Sequence, residues 1–380
     1  MYRRSALVVL ASLAPLACSE NHLTSPDAAL DPAFAAGNGR AGAVYAMTNS
    51  PTGNEVLVYG RSADGTLGAP TSYATGGTGT GAGIGSQGAL VLTSDAAWLL
   101  AVSAGSDELS VFQVGGGGLT LTDRVSSGGD MPISVTAHGS LVYVVNAGGS
   151  GNISGFWLSA GGDLTAIDGS TRPLSGAGTG PAQVEFTPAG DQLVVTEKNT
   201  NLILTYAVEP GGLTTGPTAH PSSGITPFGF AFTRGDLLVV SEAFGGAPDA
   251  SATSSYRLDG AGLELVSGSI GTTETAACWT VVTNNGKFAY VTNTGSGTVT
   301  GYRVANDGTL TLLDDDGATG STGAGSTPID AAFSGNAHFL YVLTAGNGGI
   351  SAFRVAKNGS LTSIDNASGL PSGSVGIAAR

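Results

Sequence analysis

Pro181-Ala-Gln-Val-Glu-Phe186, Thr187-Pro-Ala-Gly190, Leu193-Val-Val-Thr196 and Leu202-Ile-Leu-Thr-Tyr206 follow one another in the middle of the chain. Each apolar run is too short for a helix and alternates β-branched or aromatic residues with others, and the Pro/Gly stretch between the first two is a turn. The segment therefore reads as three successive strands, the third ending on an aromatic. The same grammar returns in both directions. An aromatic stands at Tyr59, Phe112, Phe156, Tyr206, Tyr256, Tyr302 and Phe353, and a Gly-containing turn leads from it to Leu67, Leu119, Leu164, Leu213, Leu263, Leu310 and Leu361. The aromatic-to-Leu offset is always seven or eight residues, and successive aromatics lie 44 to 53 apart. Turns such as Asp64-Gly65, Asp307-Gly308 and Asn358-Gly359 suit tight hairpins, whose central residues need positive φ, so a fourth strand starts at each Leu.

Four antiparallel strands per repeat, seven times over, predict an all-β, seven-bladed β-propeller. The expected blades are 43–84 with 371–380, then 85–130, 131–180, 181–225, 226–275, 276–326 and 327–370. The first unit, Ala43-Val-Tyr-Ala-Met-Thr48, begins directly at a second strand, and the ending Pro371-Ser-Gly-Ser-Val-Gly-Ile-Ala-Ala379 resembles the missing innermost one. The C-terminal strand is thus expected to complete the first blade and close the ring.

Composition agrees with a large folded core. Apolar residues make up 41% of the 380, so the 62 glycines do not by themselves imply disorder. A net charge of −14 excludes binding to phosphate backbones or anionic membrane surfaces. Arg3 and Arg4 precede a short apolar run ending at Cys18, the pattern of a secretory signal over 1–17, with a tether over 18–42. Pro15-Leu16-Ala17-Cys18 resembles a lipoprotein acylation site; lipidation of Cys18 and ordinary cleavage nearby both fit. The protein is expected to be exported, whether periplasmic, anchored to the outer membrane or extracellular. It is also expected to be a monomer that meets a membrane only through that lipid.

In a propeller blade the innermost strand starts, and the second strand ends, on one face of the disc. Aligned second-strand ends are Asn49, Ser103, Asn146, Glu197, Glu242, Asn293 and Thr344, all polar. Turn capping explains the Asn, Ser and Thr members, and substrate contact at a channel mouth is the competing account. Glu is a poor turn residue, so Glu197 and Glu242 are expected to bind a ligand or to take part in catalysis; for a lactone opening they would be the acid–base pair, with Lys198 or Arg172 polarising the carbonyl. Two carboxylates on one channel repel unless they share a proton, meet a basic group or bind a cation. A channel-bound divalent cation is therefore compatible, and no cofactor is required. First-strand starts add Gln87, Ser134, Gln183, Phe228, Cys278, Trp279 and Asp330; of these Gln183, Phe228 and Trp279 are candidate substrate contacts. Cys278 has no nearby base and reads as an inert thiol. None of the four histidines falls on a channel-lining strand, which excludes a His-based triad or His-ligated zinc site.

Over residues 43–380 the chain resembles the seven-bladed lactonase propellers, the family of 6-phosphogluconolactonase and carboxymuconate lactonising enzymes. The residues that carry the resemblance are the Pro-start strands, Tyr290-Val-Thr-Asn293, the Asp-Gly-x-Leu turns, Val195-Thr-Glu-Lys198, Thr226-Pro-Phe-Gly-Phe-Ala-Phe232, Ala276-Ala-Cys-Trp279 and the Gly-Ile-Ala-Ala ending. Members carry a His two residues after a first-strand Pro and Arg at second-strand ends. Here Gln183 and Asn293-Thr294 stand at those places, and Glu197 matches the family's acidic position. The resemblance implies a lactone-hydrolysing or ring-forming enzyme acting on a small molecule at the channel mouth. A non-catalytic cell-envelope propeller that reads a glycan or peptide is the alternative.

Overall fold

Short runs of alternating apolar residues, cut by Gly, Asp and Asn turns, form strands that gather into seven antiparallel sheets. The computed structural model describes residues 41–116, 118–233, 235–260 and 262–380. The expected signal over 1–17, Cys18 and nearly all of the tether lie outside the described residues.

Blade 4 is representative. Its strands Pro181–Phe186, Gln192–Glu197, Leu202–Val208 and Thr214–Pro221 are neighbours in that order from the axis outward. Blades 2, 5 and 7 repeat the order, with innermost strands Leu90–Leu92, Pro227–Phe232 and Pro328–Phe333. Blades 3 and 6 begin at Pro132–His138 and Ala277–Val282, and their outer edges are broken into two short strands each. His138, expected off the channel-lining strands, instead ends the innermost strand of blade 3, where it is exposed. Blade 1 is assembled from both ends of the fold. Gly42–Met47 pairs with Glu55–Arg61 on one side and with Val375–Ala379 on the other, with Tyr45 opposite Ala378. The C-terminal strand closes the ring, as its sequence predicts.

All seven repeat aromatics are buried between blades. The leucines that follow them are less uniform: Leu310 is buried, whereas Leu213 is exposed. A set of tyrosine bonds ties blades 3, 6 and 7 each to the next. Tyr143, Tyr290 and Tyr341 donate their hydroxyls to Gly212 O (2.6 Å), Gly359 O (2.6 Å) and Gly65 O (2.8 Å), each in the outer hairpin turn of the following blade. Gly65 sits at φ +98°, and a Cβ there would lie 2.4 Å from the Phe339 ring, so the turn requires glycine for conformation and for approach alike.

Candidate active site

The innermost strands differ along their length. Their starts are buried, including Gln183 at 4% and Asp330 at 2% exposure, while their ends (Leu92, Ala137, Glu185, Phe232, Val282, Phe333, Ala379) are partly open. The central channel is therefore closed on the face where these strands begin and opens toward the face where they end. We call these the start face and the end face.

The closure comes from blade 2. Its innermost strand is only three residues long, and residues 85–88, which precede it, leave the blade and cross the axis as a strap. Gln87 Nε2 donates to Thr280 O (2.7 Å) and its Oε1 accepts from Thr280 N (3.0 Å), joining blade 2 to the non-adjacent blade 6. Its backbone N–H bonds Ala182 O (3.0 Å) in blade 4, and Ser86 Oγ donates to Ile133 O (2.7 Å) in blade 3. Ser86 O accepts from Trp279 Nε1 (2.8 Å). Lys198 Nζ donates to Gly85 O and to Pro181 O (3.0 Å) and lies 4.8 Å from the centre of the Phe228 ring. Burial lowers the Lys198 amine to about 8 and pushes the neighbouring Cys278 thiol up to about 11. Phe228 and Trp279 pack with ring centres 4.9 Å apart under the strap.

Below the strap lies a cavity of about 390 Å³, lined by the inner strands of blades 1, 2, 3, 4 and 7. Polar and apolar surface line it about equally: Leu90, Leu92, Val135, Ala332 and Ile377 supply apolar wall, and Gln87, Gln183, Glu185 and Asp330 are the main polar side chains. A bulge after Pro181 and the period-2 alternation put Gln183 and Glu185 on one face of their strand. Gln183 bonds the backbone of Phe230 in blade 5 with both ends of its amide (3.0 and 2.7 Å) and donates to Glu185 Oε2 (2.9 Å). Among the described residues that is the one hydrogen bond to the Glu185 carboxyl, and burial pushes this acid up to about 8. Burial likewise raises Asp330 to about 8, although its oxygens accept from Ala331 N (2.8 Å) and from Ile377 N (3.2 Å) on the closing strand. Asp330 is thus occupied in ring closure, whereas Glu185 is the less committed acid and is partly open to the channel.

The residues expected at the mouth are placed otherwise. Among the twelve candidate catalytic and substrate contacts, Gln183 alone lines the cavity. Glu197 and Glu242 are each 0% exposed. Glu197 accepts from Ser175 N (2.9 Å), Ser175 Oγ and Thr200 Oγ1 (2.6 Å); Glu242 accepts from Gly224 N (2.8 Å), Ser254 Oγ (2.6 Å), Ser269 Oγ (2.7 Å) and Ser222 Oγ (3.4 Å). They share no partner and do not form a pair. Each anchors the segment that arrives from the preceding blade. Ser103 and Asn146 do the same with Thr75 and Ser127, and Asn49 with Gly373 O (3.2 Å), while Asn293 bonds Thr298 and Thr300 of its own blade and Thr344 is buried. Second-strand ends therefore face the crevices between blades, a radius too far out to converge on the axis.

Arg172 is on the outer strand of blade 3, donating to Thr214 O (2.6 Å), and does not reach the channel. Lys198 pairs with carbonyls and not with a carboxylate. Phe228 and Trp279 lie in the seal, with Trp279 only 5% exposed. Among the described residues no three His, Cys, Asp or Glu side chains converge as a metal site. Sequence reasoning missed Glu185 and the role of Gln87. The alternation Gln183-Val184-Glu185 was the available signal for the first.

The profile of the family described as Lactonase, 7-bladed beta-propeller matches residues 45–170 and 272–379. No curated protein matches the sequence. Several solved structures share the fold. A Lactobacillus plantarum protein is 18% identical, with 90% of this chain and 99% of that one covered and a TM-score of 0.71. The periplasmic gluconolactonase of Pseudomonas aeruginosa is 16% identical, covering 87% and 98%, at 0.66. A Bacteroides fragilis protein whose proposed activity is that of a 6-phosphogluconolactonase is 18% identical, covering 89% and 98%, at 0.68. With the family profile matched over more than half its length, the chain belongs to the seven-bladed lactonase β-propellers.

Proposed function

We propose that the protein hydrolyses lactones in its central cavity, with Glu185 as the group that activates water. The observation that carries this reading is a partly open, weakly partnered carboxyl, raised to about 8, in a cavity of about 390 Å³ of mixed polar and apolar lining within a lactonase-family propeller. Ionised Glu185 takes a proton from water as its oxygen attacks the ring carbonyl. The tetrahedral oxyanion collapses with cleavage of the ring C–O bond, and the proton passes from Glu185 to the departing alkoxide. Gln87 Nε2 carries a second hydrogen beyond the one it gives Thr280, a donor suited to the oxyanion. The reaction needs no cofactor. With this reading goes an exported, monomeric protein working on a small molecule.

The test is hydrolysis of δ- and γ-lactones followed by pH-stat. Glu185→Gln should lower kcat/KM at least a hundredfold while melting cooperatively, and Glu197→Gln should retain most of the activity. The wild-type rate, corrected for the buffer reaction, should rise with pH and level off above about 8, where the base form is complete. Unchanged activity in Glu185→Gln would remove this carboxyl from the mechanism. Absence of any lactone hydrolysis would favour the non-catalytic reading, to which the sealed start face also lends support.

A further inference from the structure

The cavity has a charge character that the fold does not require. Its lining includes two carboxyls, Glu185 and Asp330, and no Lys, Arg or His. Lys198 is bonded to Gly85 O and Pro181 O at the seal, and Arg380, which follows the lining residue Ala379, reaches Gly115 O (3.5 Å) with its guanidinium; neither belongs to the lining. The Gln183 amide is fully used, both of its Nε2 hydrogens going to Phe230 O and Glu185 Oε2. An anion entering this space would lose part of its hydration and meet no charged counter-group in the lining, which is the arrangement that makes buried anions unfavourable. The whole chain carries −14, so its long-range field also opposes an approaching anion.

From this we infer that the cavity selects uncharged lactones and rejects those bearing a phosphate or carboxylate. The inference rests on the cavity being the site of hydrolysis, and it deepens that reading by naming the substrate class. A neutral lactone matches the lining well: apolar walls take its ring face, while Gln87 and Glu185 offer a donor and an acceptor for the ester group.

The experiment uses a matched pair, a polyhydroxy δ-lactone and the same lactone carrying a terminal phosphomonoester, together with the two corresponding lactams. The lactams measure binding by calorimetry without turnover, so selectivity is read independently of catalysis. We expect the neutral lactam to bind at least a hundredfold more tightly than its phosphorylated partner, and kcat/KM for the lactones to follow the same ratio. Val91→Lys, which puts a cation on the wall, should reduce that ratio at least tenfold. If the neutral lactam binds selectively but Glu185→Gln still hydrolyses the lactone, the catalytic assignment falls and the selectivity stands. Equal or tighter binding of the phosphorylated lactam to the wild type would overturn the inference while leaving the hydrolysis reading intact. If neither lactam binds, both are overturned.

Discussion

Glu197, Glu242 and Glu185 differ in their supply of hydrogen-bond donors, and that difference sorts their roles. Glu242 has four donors and Glu197 three, so each carboxylate is held as an anchor for an incoming segment. Glu242→Ala would leave Gly224 N and the hydroxyls of Ser254 and Ser269 without their acceptor, and should destabilise the fold by roughly 2–4 kcal/mol, measurable by urea titration. Glu185 has one donor, and its acid is raised to about 8 from the ordinary value of 4.5. A native acid raised in this way binds its proton more tightly than the unfolded chain does. Its contribution to stability is thus complete below about pH 4.5 and is lost as the pH climbs through about 8. Glu185→Gln should therefore melt higher than wild type at pH 8.5 and close to it at pH 4, as thermal scans at the two values would show. The expectation that Glu197 and Glu242 do chemistry arose because Glu suits turns badly. What neutralises that objection is Thr200, Ser254 and Ser269 of the same blades together with Ser175 and Ser222, and the adjacency of the last two depends on how successive blades dock and cannot be read along the chain.

The strap over 85–88 shows why one element escaped sequence reasoning. Gly fills seven of the thirteen positions 76–88, and such a composition reports conformational freedom without a destination. Its course is set by partners on blades 3, 4 and 6, chiefly the paired bonds between the Gln87 amide and Thr280. A Cβ on Gly229 would lie 2.1 Å from Gln87 Oε1 and 2.7 Å from Cys278 O, so blade 5 also shapes the seat. Gln87→Ala should lower stability by about 1–3 kcal/mol, since it leaves the Thr280 N–H and C=O unpaired in a buried place. In a background lacking Trp98 and Trp157, the same change should increase acrylamide quenching of Trp279, which the strap covers. The paired amide of Gln183 with Phe230 repeats the device between neighbouring blades.

At the scale of the whole ring, the repeat was legible because it rests on local chemistry. The seven aromatics recur at nearly constant spacing, and each is buried between blades. The closing strand was legible for the same reason: Gly42–Met47 lacks an inner neighbour within its own repeat, and Val375–Ala379 has no other blade to join. Which face of the channel opens was not legible, because it depends on a connection that crosses the axis. Deleting 371–380 should remove the Gly42–Met47 pairing and the Asp330–Ile377 bond together, and lower the melting temperature by at least 10 °C in calorimetry. This closure also fixes an order of events in the cell. The strand that finishes blade 1 is translated after every other blade, so the inner edge of Gly42–Met47 stays bare while the rest of the disc emerges from the ribosome. An unpaired edge of that length is a template for pairing with other nascent chains. The protein therefore depends on late, long-range annealing of its two ends, and a holdase that shields the first strand should raise its folding yield more than one acting on the middle of the chain.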